Sequence, residues 1–115
     1  MPGPNFFIVG APKCGTTALY EYLNAHPDIF MPIQKEPHFF GTDLTGGRFD
    51  LYRDEARYLS LFNEARDGQA IGEGSVWYLY SKLAAHEIHA FDPNARIIIM
   101  LRDPVQMLYS LYRQF

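Results

Sequence analysis

The chain has 115 residues, enough for one domain that buries roughly two thirds of its unfolded surface. With 48% hydrophobic residues, 16% aromatics and a net charge of −3, the composition excludes a disordered chain and a general binder of nucleic acid, which wants a basic face. The longest aliphatic run, Ile97 to Leu101, falls far short of the roughly 20 residues of a membrane helix, no signal-peptide pattern opens the chain, and one cysteine cannot form an internal disulfide, so the expectation is a cytoplasmic protein without a membrane segment.

Taken in order, Phe6-Phe7-Ile8-Val9 is a short apolar run ended by Gly10, which predicts a buried strand. After the turn from Ala11 to Gly15, a helix is predicted from Thr16, with Leu19, Tyr20 and Leu23 on one face. It must stop before His26-Pro27, because a proline pushes its predecessor out of the helical region. Ile29 to Met31 reads as a second short strand, and Gly41 to Asp50 is turn chemistry. Tyr52 to Ala65 has apolar residues at near-helical spacing, and Ala70 to Gly72 suggests another strand. Ser75 is a candidate cap for a helix reaching about Ala90, Asp92 to Asn94 is a turn, and Arg96 to Leu101 is a strand. Pro104 then stands where a first helical turn tolerates proline, and that helix would run to Phe115. Short apolar strands alternating with helices predict an α/β domain with a mostly parallel sheet.

The segment Gly10-Ala11-Pro12-Lys13-Cys14-Gly15-Thr16-Thr17 lies between the first predicted strand and helix. Such a turn aims backbone N–H groups and the positive helix end at an anion, so a phosphate can bind without a basic surface. Its two glycines have the spacing of the P-loop G-x-x-x-x-G-K-[ST], and Thr17 stands at the hydroxyl position. The lysine position, however, holds Thr16, and the lysine comes earlier, at Lys13. Lys13 therefore lies within the loop, close to whatever is attached to the first phosphate. A simple glycine turn with a solvated lysine is the alternative.

The stretch IVGAPKCGTTALYEYL resembles the 5′-phosphosulfate loop of sulfotransferases that use 3′-phosphoadenosine-5′-phosphosulfate (PAPS). The likeness extends to the heparan-sulfate and bacterial branches through His26-Pro27 and Lys35-Glu36-Pro37-His38-Phe39-Phe40. A third match, ARIIIMLRDPVQMLYSLYRQF, resembles the strand and helix that hold the nucleotide 3′-phosphate. The resemblance implies a P-loop-like three-layer α/β domain over residues 1–115, the N-terminal portion of a fold usually about twice as long and cut at its C-terminus.

It also implies roles. Lys13 would meet charge building on the leaving oxygen, while Cys14, Gly15, Thr16 and Thr17 would hold the 5′-phosphate. Glu36 matches the general base of the glycan-modifying relatives, and His38 would orient the acceptor or share the proton work. Arg102 and Ser110 match 3′-phosphate ligands. PAPS is the implied donor, adenosine 3′,5′-bisphosphate (PAP) the product, and no metal is implied. The acceptor would carry a hydroxyl or amine on a glycan, a lipid, a small molecule or a protein tyrosine.

Each assignment has a plainer counterpart: Glu36 as a surface carboxylate, His38 as a structural loop histidine, and Asp103 as a helix cap beside Arg102. One departure is Gly74, where several glycan sulfotransferases carry a second lysine, which leaves Glu73 as a second candidate base or an ion-pair partner. A kinase or triphosphatase using ATP and magnesium, with Asp103 on the metal, is one rival reading; a non-catalytic anion-binding domain is another. A cysteine phosphatase fails because C-x₅-R would need arginine where Tyr20 stands, and His86-Glu87-Ile88-His89 lacks the H-E-x-x-H spacing of a metalloprotease.

Overall fold

The structure is a computed structural model, and it describes residues 3–12, 14–33, 36–101 and 105. The first strand, β1 (Phe6–Gly10), is buried at all five positions. It lies inside the sheet, paired in parallel with β3 (Ala70–Gly74) on one side and β4 (Arg96–Ile99) on the other. The two-residue β2 (Ile29–Phe30) adds to the far edge of β3, also in parallel, giving the order β2-β3-β1-β4. Every pairing among the described strands is parallel, as the alternation of elements predicts.

The period of two along β1 divides the core. Phe7 and Val9 face a cluster completed by Tyr58 from α2 (Glu55–Ser60) and by Ala84 and Ile88 from α3 (Ala84–Phe91). Phe6 and Ile8 face the opposite side, where α1 (Thr16–Asn24) contributes Tyr20, with Leu19 and Leu23 beside it. Helices therefore cover both faces and make three layers. Full burial of side chains such as Phe7 and Phe62 contributes about 1.5–3 kcal/mol each. Phe6 sits opposite Gly72 in the β1–β3 register, and its ring occupies the space where a side chain on Gly72 would begin.

Five elements differ from their predicted extents: β2 ends at Phe30 and β4 at Ile99, one and two residues short of expectation, and three others also differ. The second helix is shorter than Tyr52 to Ala65. Asp54 caps it by accepting the Arg57 N–H at 3.1 Å, and a 3₁₀ turn (Gly47–Asp50) precedes it. After Ser60 the ladder tightens to i−3 bonds, from Phe62 N–H to Leu59 and Asn63 N–H to Ser60, and the helix ends. Ser75 does not begin a helix. Its hydroxyl points at Glu73, residues 76–80 form turns, and Ser81 Oγ accepts the amides of Leu83 and Ala84 at the start of α3. The third strand runs on to Gly74, two residues past its predicted end. Apart from Val105, the predicted C-terminal helix lies outside the described residues, as do Arg102, Ser110 and Lys13.

Candidate functional site

In a parallel sheet all strands end on the same side, and loops leaving that edge can build one site. The glycine loop leaves β1 there. Ala11 N–H donates to the Met100 carbonyl at 2.9 Å and Met100 N–H to Gly10 at 2.8 Å, which ties the loop to the chain following β4. Gly15 has φ of +82°, a left-handed conformation natural to glycine, and it turns the chain into α1. The first helical bond runs from Leu19 N–H to the Gly15 carbonyl at 3.2 Å. The amides of Thr16, Thr17 and Ala18 therefore precede the ladder, and no side chain caps the helix. Thr17 is exposed, whereas Cys14 is buried and its thiol donates to the Pro12 carbonyl at 3.5 Å. An exposed helix start whose first amides make no hydrogen bond among the described residues fits an anionic phosphate.

The second part of the site is the segment from Glu36 to Phe40. It docks on the end of β3, whose Gly74 is the register partner of Ile8, two residues before the glycine loop. Glu36 N–H donates to the Gly74 carbonyl at 2.9 Å, and Glu36 Oε1 accepts the Val76 N–H at 3.4 Å. Glu36 has φ of +57° and His38 has φ of +51°. Left-handed backbone at residues other than glycine costs roughly 1–2 kcal/mol each and persists only where neighbouring contacts over-determine it. Such strain is concentrated at functional segments, and Glu36 is half-buried at the sheet edge.

His38 takes a different place from the one its motif implies. The ring is completely buried, edge-on to Phe49 at 5.1 Å and to Tyr78 at 5.9 Å, and neither nitrogen makes a hydrogen bond among the described residues. Burial pushes its pKa down to about 4; the Glu36 backbone carbonyl opposes the shift, and the Arg48 and Arg53 charges add to it. The imidazole is enclosed between Phe49 and Tyr78 and exposes no surface in this structure.

Glu73 is also fully buried, and it is neither an exposed base nor half of an ion pair among the described residues. It receives three hydroxyls: Tyr58 at 2.5 Å, Ser75 at 2.7 Å and Tyr78 at 2.8 Å. Desolvation raises its pKa, the three donors pull it back, and the nearby Glu36 charge pushes it up. Sequence reasoning missed this network because no motif links Glu73, Ser75 and Tyr78 to each other or to Tyr58, which comes from α2.

The turn-rich stretch after Phe40 is held to the same body. Glu87 on α3 accepts the amides of Gly41 and Thr42 and the Thr42 hydroxyl, at 2.7, 3.1 and 2.7 Å. Arg53 reaches the carbonyls of Gly41, Leu44 and Phe49. Phe49 is thereby fixed against His38. Of the residues singled out by sequence, the structure thus brings Cys14, Gly15, Thr16, Thr17 and Glu36 to one edge of the sheet.

The sulfotransferase domain family matches residues 3–115 of this chain. The chain belongs to that family. It is 39% identical to human (Homo sapiens) carbohydrate sulfotransferase 15, with 97% of this chain and 27% of the relative covered. Human heparan sulfate glucosamine 3-O-sulfotransferase 6 is 37% identical, over 96% of this chain and 30% of that protein. The crystal structure of a sulfotransferase from Alicyclobacillus acidocaldarius superposes with a TM-score of 0.90 at 44% identity, covering 99% of this chain and 50% of that one. The chain thus spans between about a quarter and a half of the length of these relatives. Family membership leaves the kinase reading without support. No described helix is long and apolar enough to cross a membrane.

Proposed function

We propose that the protein transfers a sulfuryl group from PAPS to a hydroxyl or amine of an acceptor, and that the acceptor is a glycan. The observation that carries this reading is the position of Glu36: a carboxylate held in a left-handed turn on β3, beside the strand whose loop presents the start of α1. A phosphate-binding helix end and a candidate base on neighbouring strands are what an in-line transfer requires. When bound, PAPS supplies a sulfuryl group on a phosphate leaving group. The amides of Thr16 and Thr17 and their hydroxyls would hold the 5′-phosphate, with Gly15 letting the backbone approach, and Cys14 would support the turn from inside. Lys13 would offset charge on the leaving oxygen, and Arg102 and Ser110 would grip the 3′-phosphate. Glu36 would take the acceptor proton. His38 and Glu73 would support that segment without touching substrate. The glycan acceptor is supported by the relatives' names, which specify carbohydrate and heparan sulfate.

Residues 1–115 are taken as one domain-sized portion of the family fold, and the lone buried thiol of Cys14 suits a cytoplasmic, reducing setting. The test pairs binding with transfer. Adenosine 3′,5′-bisphosphate should bind without magnesium, and Glu36→Gln should abolish transfer of labelled sulfate to a glycan panel while leaving that binding within about twofold. Magnesium-dependent ATP binding with no affinity for the bisphosphate would overturn the reading. Bisphosphate binding with no transfer to any acceptor would favour a non-catalytic domain.

A further inference from the structure

Hydrogen bonds along the 36–40 segment follow an alternation that the strand alone cannot sustain. Glu36, His38 and Phe40 each turn the backbone N–H toward the end of β3. Glu36 finds a strand carbonyl, that of Gly74. Beyond Gly74 the strand is over, its chain enters turns, and the next two acceptors are side-chain hydroxyls. His38 N–H donates to Ser75 Oγ at 3.0 Å, and Phe40 N–H donates to the Tyr78 hydroxyl at 3.3 Å. A hydroxyl carries one proton, so it can accept from a backbone amide in good geometry only if that proton points elsewhere. For both hydroxyls the proton points at Glu73.

We propose that Glu73 is the positioning residue for Glu36: by taking the protons of Ser75 and Tyr78, its carboxyl oxygens fix the polarity of both hydroxyls, so that these extend the β3 ladder and hold the 36–40 segment in its left-handed turns. This rests on the reading of Glu36 as the base. The arrangement explains why a carboxylate is fully buried there without a cation among the described residues. It also accounts for two residues other than glycine, Glu36 and His38, both held at positive φ on either side of Pro37. Tyr58 supplies an internal control. It donates to the same carboxylate at 2.5 Å but accepts no amide of the segment among the described hydrogen bonds.

The experiment compares Glu73→Gln, Ser75→Ala, Tyr78→Phe and Tyr58→Phe in the full chain, reading single-amide hydrogen exchange by NMR, unfolding in urea, bisphosphate affinity and transfer kinetics. Glutamine places an N–H₂ donor against at least one hydroxyl, whose proton then loses its acceptor and whose polarity is no longer fixed. Ser75→Ala should speed exchange at the His38 amide about 5–10-fold beyond any change in global stability, and Tyr78→Phe should do so at Phe40. Glu73→Gln should loosen both amides and lower kcat at least about tenfold, with bisphosphate affinity and donor KM within about twofold. Tyr58→Phe should alter neither amide beyond its global effect.

Equal loosening by Tyr58→Phe, or exchange in all variants that tracks global stability alone, overturns the proposal. So does an unchanged kcat in Glu73→Gln when Glu36→Gln is inactive. If the exchange pattern holds but Glu36→Gln remains active, the positioning of the segment stands and the base assignment fails. Should Glu73→Gln not fold, the three hydroxyl variants carry the test.

Discussion

The buried imidazole of His38 makes stability depend on pH in a window that its removal should erase. Its pKa in the folded protein is about 4, against about 6.5 in an unfolded chain, because burial disfavours the charged ring. Between those values the unfolded chain binds the extra proton and the folded one does not. Stability from the neutral ring is therefore fully present above about pH 6.5 and is lost as pH falls toward 4. At about 1.36 kcal/mol per pH unit, the gap sets an upper figure of about 3 kcal/mol by pH 4. Solvent around the exposed Arg48 screens part of the local field, so a loss of about 1–2 kcal/mol by pH 5 is the expected reading.

His38→Leu is the matching perturbation, since among the described residues neither ring nitrogen makes a hydrogen bond that leucine would forfeit. Urea unfolding followed by fluorescence of the single Trp77 should be run on both proteins from pH 7.5 to 4. Other groups with perturbed pKa values cancel in the difference. Asp43, held low by the Ser81 hydroxyl, loses stability in the same direction, while Glu73, raised by burial, changes in the opposite one. The wild-type curve should fall away below about pH 6.5 and the His38→Leu curve should lie flatter by the stated amount. Parallel curves down to pH 4.5 would refute the account, because they would mean that the ring is protonated in the fold at little cost.

Two further outcomes follow from the geometry. A Cβ on Gly72 would lie 2.1–2.6 Å from three atoms of the Phe6 ring, so Gly72→Ala should destabilise by about 2 kcal/mol or more in urea, with partial recovery when combined with Phe6→Leu; a change under about 0.5 kcal/mol would show that the ring moves freely. Lys13→Ala should reduce transfer far more than bisphosphate affinity, since a cation opposite the leaving oxygen is wanted most in the transition state, whereas equal losses in both would make Lys13 only a phosphate anchor.

What was legible in the sequence was local, and what was not depended on distant partners. The strand before Gly10 and the helix after Gly15 announce themselves because burial on both faces demands unbroken apolar residues and because a glycine must supply the left-handed turn between them. The carboxylate at Glu36 was legible only through a motif, since nothing in Lys35-Glu36-Pro37-His38 reveals that Glu36 and His38 adopt positive φ. Ser75 misled for the same reason. A serine ahead of a periodic apolar run has the marks of a helix cap, but a buried carboxylate two residues earlier claims its proton and the His38 amide claims its lone pair.

The two motif residues closest in sequence thus separate in space by role. Glu36 stays at the rim of the sheet, bonded to strand backbone, whereas His38 turns inward between Phe49 and Tyr78. Both residues flank Pro37 and both are held at positive φ. In this fold the motif places one carboxylate at the rim of the sheet and one imidazole buried beneath it. The buried imidazole also explains the turn-rich stretch that follows: Arg53 and Glu87 spend their hydrogen bonds on residues 41–49, and Phe49 at the end of that stretch closes over His38. Stability of the His38 pocket and placement of Glu36 are therefore one problem, carried by a segment whose sequence shows only its charges and its glycines.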